Sequence, residues 1–260
     1  MSVKKLIDIT ERMMADLNYT GFITVRTSSA RLPGKCLLPF GDESVISHVV
    51  KRAIAYGIEP IICTSTDKSD DILEEISKEL GVKCFRGSLV NKLKRWLDCA
   101  EYFNVDSFHT IDADDPLFDG NEMIASLDLL NSKDCDVVCP TESSSAGGAS
   151  VGYSLTTAII KKALENLDPD TDTEMMWYYL EKVSQVKMEN LPEMDNAKIK
   201  LRLTLDYEED YWLLVSIIRI LGSNPDRNKV RELFLNNPDL AKINLFRNDE
   251  WKAEQLSKKL

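Results

Sequence analysis

The residues with the most chemistry to offer lie in one short stretch, Arg26-Thr-Ser-Ser-Ala-Arg31-Leu-Pro-Gly-Lys35. Three cations stand there without an acid between them, in a chain whose net charge is -11. Planar guanidinium groups and a mobile ammonium are what a polyphosphate needs, because they stabilise charge as it builds on a departing diphosphate. A second set is acidic: Asp112-Ala-Asp114-Asp115-Pro116, with Asp206 much later in the chain. Magnesium that also binds phosphate takes one or two carboxylates and fills its remaining positions with phosphate oxygens and water. Each piece has a plainer reading. Pro33-Gly34 is a simple turn, and Asp114 and Asp206, taken singly, read first as acidic turns or helix caps.

The elements around these residues decide whether they can meet. Thr20-Gly-Phe-Ile-Thr-Val25 is an apolar, β-favouring run that delivers the cationic loop, and helical spacing follows over 43–56. The alternation continues with strand 58–64, helix 69–80, strand 82–85, helix 89–103, strand 105–111, helix 120–131 and strand 135–139. Such alternation with short connections predicts a mostly parallel sheet covered on both faces, an α/β/α arrangement. Ligands of such sheets sit at the carboxyl ends of the strands, where Arg26 and Asp114 both fall.

Further along, residues 141–150 read as a Ser/Gly/Ala loop, while 156–164 and 174–186 read as helices. The alternating run Lys198 to Leu205 reads as a half-exposed strand ending at Asp206, followed by a helix over 211–220. The tail 228–260 is polar and helical with a break near Asn237-Pro238. Val3 to Leu17 is an amphipathic helix ahead of the first strand.

Composition sets outer bounds. Hydrophobic content of 43% and charged content of 29% are those of a globular chain. The negative balance argues against a general nucleic-acid binder, which needs spread-out Lys and Arg. No signal peptide opens the sequence and no apolar run approaches the ~20 residues that span a bilayer, so no membrane association and a cytoplasmic location are expected. The six cysteines form no CxxC pair and read as buried thiols. His48 and His109 read as structural. Trp177-Tyr178-Tyr179 reads as core or subunit contact. Gly34-Lys35 is not a Walker A loop, since Cys36 stands where a Ser or Thr would ligate magnesium, and no GxGxxG fingerprint is present.

Together these motifs resemble the cytidylyltransferases that activate acidic sugars: the 3-deoxy-manno-octulosonate and acylneuraminate enzymes, and most of all the spore-coat polysaccharide type. The loop fits R-x-x-S-x-R-L-P-G-K through Arg26, Ser29, Arg31, Leu32, Pro33, Gly34 and Lys35. Ile62-Cys-Thr64-Ser65-Thr-Asp67 is similar to the second strand and Cys84-Phe85-Arg86-Gly87-Ser88 to the Phe-Arg-Gly-Ser turn near the base. Ala113-Asp114-Asp115-Pro116-Leu117 resembles the metal-binding turn, and Arg202 to Asp210 the late strand whose aspartate completes the magnesium site.

The resemblance implies a Rossmann-like nucleotide-diphospho-sugar transferase fold over 19–222, with 140–200 serving the acceptor or a homodimer contact and 223–260 a helical tail. It implies transfer of CMP from CTP to an acidic sugar with release of pyrophosphate. Arg26, Lys35 and Asp114 would be catalytic. Arg26, Ser29, Arg31, Lys35, Thr64 and Ser88 would bind nucleotide, Asp114 and Asp206 would hold Mg²⁺, and Asp112 and Arg202 would face the acceptor. Two features depart from the pattern: the extra helix before the first strand, and Asp112 where relatives tend to carry Thr or Gln. A carboxylate at that position suits an ammonium or hydroxyl donor better than another acid. Three other readings stand beside it: a glycosyltransferase using Asp112-Ala113-Asp114 as a metal-binding DxD, a phosphonate cytidylyltransferase, and a non-catalytic nucleotide-binding protein.

Overall fold

A computed structural model describes residues 19–145, 151–193 and 199–257 of the 260-residue chain. The expected helix over Val3–Leu17 lies outside the described residues.

The strand run predicted at 20–25 forms β1 (Tyr19–Thr24), followed by a small hairpin, β2 (Pro39–Phe40) and β3 (Glu43–Ser44). Then come α1 (Val45–Ala55), β4 (Ile58–Ser65), α2 (Asp71–Leu80), β5 (Lys83–Gly87), α3 (Lys92–Phe103) and β6 (Ser107–Asp112). The series continues with α4 (Gly120–Ser132), β7 (Val137–Cys139), the single turn α5 (Glu142–Ser145), β8 (Ser154–Thr156) and α6 (Thr157–Leu164). After α7 (Trp177–Leu180) and β9 (Met188–Asn190), the chain closes with α8 (Glu208–Leu221), α9 (Arg227–Asn236) and α10 (Arg247–Ser257).

Seven strands form one sheet in the order β5-β4-β1-β6-β8-β7-β9. β1 lies parallel to both β4 and β6, and β5 runs parallel to β4. β8 is antiparallel to both β6 and β7, so the sheet is mixed but mostly parallel. Successive side chains of β1 face opposite layers, as a period of two requires. Phe22 joins Leu93, Trp96, Phe108 and Ile159 on one face. Ile23 joins Val49, Ile62, Leu73 and Met123 on the other. α1, α2 and α4 thus cover one face and α3 and α6 the other, which is the three-layer arrangement expected.

Capping explains several of the helix starts. Ser44, Asn91, Asp119 and Thr156 each accept a backbone N–H at the head of the helix that follows, an interaction worth about 1 kcal/mol. Both histidines are structural. His48 meets the Pro116 carbonyl, and His109 is enclosed by Ser154 and Val151. All six cysteines are free thiols. No helix among the described residues is long and apolar enough to cross a membrane.

Two expectations fail. The alternating run up to Leu205 is not a strand: residues 199–206 join no ladder. Its apolar side instead buries Leu203 and Leu205 against Leu213, Leu214 and Ile217 of α8, in a third cluster away from the sheet. The run expected to be helical over 174–186 contains only the four-residue α7, because Met176 and Leu180 already satisfy the contact with α6 and β8. Trp177 and Tyr179 pack against the same core.

Candidate active site

Pro33-Gly34 is a turn, and the turn is what aims the lysine. Gly34 adopts φ +66°, a left-handed conformation that residues with a Cβ rarely hold. Its N–H donates to the Thr27 carbonyl at 3.2 Å and the Lys35 N–H to the Leu32 carbonyl at 3.3 Å, folding the loop back on itself. Asp70, just before α2, fastens the start of the loop: its carboxylate accepts both the Thr27 N–H and hydroxyl at 2.8 Å and also receives the Ser65 hydroxyl.

From that loop the Lys35 ammonium donates to Asp114 Oδ2 at 2.6 Å, to Asp206 Oδ1 at 2.9 Å and to the Leu205 carbonyl at 2.9 Å. Arg31 donates to the same Asp206 oxygen at 2.8 Å and to Glu254 of α10 at 3.1 Å. Positive groups leaving β1 therefore face carboxylates from the loop after β6 and from the segment before α8. Burial works against the Lys35 charge, but Asp114 and Asp206 outweigh it and lift its pKa above the usual lysine value. Burial likewise opposes ionisation of Asp114, and the neighbouring Lys35 ammonium reverses the balance and lowers its pKa. Asp115, beside it, answers differently. Burial first, then the charges of Asp114, Asp112 and Asp206, push its carboxyl well above the usual range.

Neither aspartate of the pair is a helix cap. Asp119 caps α4. At the head of α8, Asp210 accepts the backbone N–H groups of both Asp206 and Tyr207 at 3.0 Å, leaving the Asp206 side chain for the cations.

The cleft over this cluster encloses about 470 Å³. Arg26, Ser29, Arg31 and Lys35 form its cationic side, and Asp112, Asp114, Glu174 and Glu254 its acidic side. Arg26 donates to the Leu89 carbonyl at 3.0 Å and pairs with Glu174 at 3.5 Å. A second, wider cleft shares Arg26, Ser28 and Glu174 and runs on past Leu89, Val90 and Tyr179.

Three anticipated contacts are not available in this geometry. Thr64 is fully buried under the loop. Ser88 does not line the cleft; its hydroxyl accepts the Asn91 N–H at 3.0 Å, at the turn into α3. Arg202 has no surface for an acceptor, because its guanidinium grips Asp210 through two 2.8 Å bonds and reaches Asn248 at 2.9 Å. The alternating pattern placed Arg202 on the exposed side of its run; the residue faces inward instead, and its charge is answered inside the protein.

Sequence reasoning also missed Lys92, Glu174 and Glu254. Lys92 looked like one more helix lysine, and Glu174 sat in a run read as helix. Glu254 lies more than two hundred residues from Arg31, and no local signal announces such a contact.

The residues present fit a divalent ion. Asp114 and Asp206 already converge on one cation, the Lys35 ammonium, and their number is what magnesium takes when phosphate and water supply the rest. No group of three or more metal-ligating side chains occurs among the described residues.

Comparison with known proteins agrees with this geometry. A family profile described as cytidylyltransferase matches residues 20–197. The spore coat polysaccharide biosynthesis protein SpsF of Bacillus subtilis is 27% identical over 232 residues, covering 84% of this chain and 95% of that protein. A solved cytidylyltransferase from Leptospira borgpetersenii superposes with a TM-score of 0.75 at 26% identity, over 86% of this chain and 97% of the other. A CMP:2-keto-3-deoxy-manno-octonic acid synthetase complexed with CTP shares the fold at a TM-score of 0.59 and 14% identity, over 78% and 99% of the two chains. The chain belongs to the cytidylyltransferase family and is a nucleotidyltransferase.

Proposed function

We propose that the protein transfers CMP from CTP to a hydroxyl of an acidic sugar, releasing pyrophosphate, as a step in making a surface polysaccharide. One observation carries the reading: the Lys35 ammonium stands between Asp114 and Asp206, at the meeting of the cationic loop and the two acidic segments. The likeness to a spore coat polysaccharide biosynthesis protein supports the pathway class.

The chain's own groups account for most of the chemistry. Arg26, Arg31 and Lys35 hold the triphosphate and stabilise the charge that gathers on the leaving pyrophosphate. Asp114 and Asp206 would hold Mg²⁺, which supplies Lewis-acid polarisation of phosphate oxygen. Ser29 lines the cleft at the loop and is placed to touch the nucleotide. Because phosphoryl transfer asks mainly for positioning and charge compensation, no side chain need form a covalent intermediate. Asp112 and Asp114 do not act as a metal-binding DxD. Asp112 faces Lys92 at 3.6 Å, whereas Asp114 faces Lys35.

The test is to supply each nucleoside triphosphate with magnesium and a panel of sugar acids, and to follow pyrophosphate. Release with CTP that depends on a sugar acid supports the reading. Turnover of a nucleotide-sugar in place of CTP, or CTP binding that no acceptor converts to product, overturns it.

A further inference from the structure

Between the triphosphate loop and the wider cleft lies a cluster that phosphate chemistry leaves unused. Lys92, the first residue of α3, lies 3.6 Å from Asp112 Oδ1 and 3.6 Å from Glu174 Oε1. Its side chain is 9% exposed, while those of Asp112 and Glu174 are 37% and 39% exposed and line the cleft. The ammonium is thus behind the wall and the carboxylates are in it. Its other face rests on the Trp96 ring, 5.1 Å from the centroid.

The cluster is built, not incidental. Asn91 caps α3 by accepting the Lys94 N–H, and its carboxamide oxygen also receives the Thr173 hydroxyl at 3.0 Å. Thr173 in turn accepts the Leu93 N–H at 2.9 Å, so the residues before Lys92 and Glu174 are tied to each other. Arg26 holds Glu174 from the opposite side. Lys92 is the first cause of the lowered Glu174 pKa, which keeps that carboxylate ionised.

Charge and geometry narrow what such a wall accepts. Two carboxylates alone would call for an external cation. Here Lys92 already stands 3.6 Å from both, so a second ammonium would meet repulsion from the first. A phosphate or carboxylate would meet two anionic oxygens. What remains is a neutral donor pair, since ionised carboxylates offer only acceptor lone pairs. We propose that Asp112 and Glu174, held as a pair by Lys92, form a subsite for vicinal hydroxyls. Of the ammonium or hydroxyl donor that Asp112 alone suits, this selects the hydroxyl. The inference rests on the transferase reading of the cleft, in which two substrates carry such hydroxyls: the ribose of the nucleotide and the sugar acceptor. Lys92 is a positioning residue that holds the two carboxylates against one ammonium.

The experiment uses the full chain and equilibrium titration. In one arm the probe is CTP with a methylene bridge between its α- and β-phosphorus, compared with its 2′,3′-dideoxy counterpart. In the other, 3-deoxy-manno-octulosonate and N-acetylneuraminate are compared with dehydroxylated counterparts, on protein with and without the CTP analogue. In one arm the diol form binds wild type about tenfold or more tightly, as expected for hydrogen bonds to charged groups, and that arm identifies the source. Asp112→Ala with Glu174→Ala removes every acceptor of the pair and binds both forms equally and weakly. Lys92→Met reverses the choice, so an amino-substituted analogue binds more tightly than the diol, an outcome loss of fold cannot imitate. If wild type ignores the hydroxyls in both arms, or the double alanine variant keeps its discrimination, the subsite is wrong. Failure of the CTP analogue to bind at all counts against the transferase reading, while the sugar arm on nucleotide-free protein still tests the subsite.

Discussion

Two ionic clusters touch at Asp206 and behave as opposites. One is the Lys35–Asp114–Asp206 group in the cleft, where the Asp114 side chain is 30% exposed and Lys35 14%. The other is the Arg202–Asp210 pair, whose side chains are both 0% exposed. Asp206 gives Oδ1 to Lys35 and Arg31 and lies with Oδ2 3.5 Å from Arg202. The charges are alike, but burial separates their roles. Arg202 has its bonds completed by Asp210 and Asn248 and cannot exchange them for a ligand without unfolding its surroundings. Lys35 borders open cleft, so its partners are accessible to the triphosphate and divalent ion of the proposed reaction. A permanent pair anchors the carboxylate that an exchangeable one uses.

The largest expected effect breaks the permanent pair. Asp210→Asn leaves the Arg202 charge buried without its carboxylate and should cost about 3–5 kcal/mol in denaturant unfolding. It also weakens the bonds that Asp210 makes to the backbone of Asp206 and Tyr207. Arg202→Met combined with Asp210→Asn should recover much of that loss, since it removes the unanswered charge while the amide oxygen still accepts from the backbone of Asp206 and Tyr207. Recovery with low activity would confirm that the pair's second task is to hold Asp206.

Breaking the exchangeable cluster should do the reverse. Asp114→Asn is expected to lower kcat by on the order of 10²-fold, ~3 kcal/mol of transition-state stabilisation, measured by pyrophosphate release. Its unfolding midpoint should move far less than that of Asp210→Asn, because Lys35 keeps Asp206. Near-wild-type turnover would remove Asp114 from the metal role.

The contrast between these clusters shows what the sequence could and could not reveal. The strand-helix alternation was legible from β1 to β7 because the central strands β1, β4 and β6 are buried on both faces and the helices between strands carry an apolar stripe. The meeting of Lys35 with Asp114 was legible too, since parallel strands must deliver their carboxyl ends to one edge. The segment ending at Asp206 was half legible. Its alternation correctly gave burial of Leu203 and Leu205, yet a period of two cannot say whether the buried side meets a sheet or a helix. Arg202, given to the acceptor by resemblance, is instead paired with Asp210 inside the protein. Thr64 and Ser88 were placed in the right neighbourhood, but burial in one case and a turn hydrogen bond in the other keep them from the cleft. Glu254 was invisible, because contacts between distant loops and tails leave no periodic trace.

A pH titration probes the core apart from both clusters. Burial lowers the pKa of His48 and of His109 to about 4, so each stays neutral in the native state. In the unfolded chain each titrates near 6.5, so between about pH 6.5 and 4 the unfolded state binds more protons. Stability should therefore fall with acidification through that window, by at most about 1.4 kcal/mol per pH unit for each site, and flatten below it. His48→Gln should reduce the slope seen in thermal unfolding between pH 6.5 and 4. An unchanged slope would mean that His48 does not contribute.

The smallest effect sharpens the exchangeable side. Glu254 pairs with Arg31 across an exposed edge, where such contacts are worth under about 1 kcal/mol. Glu254→Gln should lower KM for CTP by about two- to fivefold with kcat unchanged. The gain should shrink as salt screens the wild-type contact. A raised KM would make Glu254 a helper of nucleotide binding.

That last contact joins the terminus of the chain to its reactive centre. α10 is fixed at one end by Arg247 to Glu209 and by Asn248 to Arg202, and at the other it lays a carboxylate on Arg31. If Arg31 holds phosphate as proposed, ligand occupancy and docking of α10 are thermodynamically linked. Saturating nucleotide should make the final helix easier for a protease to remove, and clipping that helix should in turn tighten nucleotide binding.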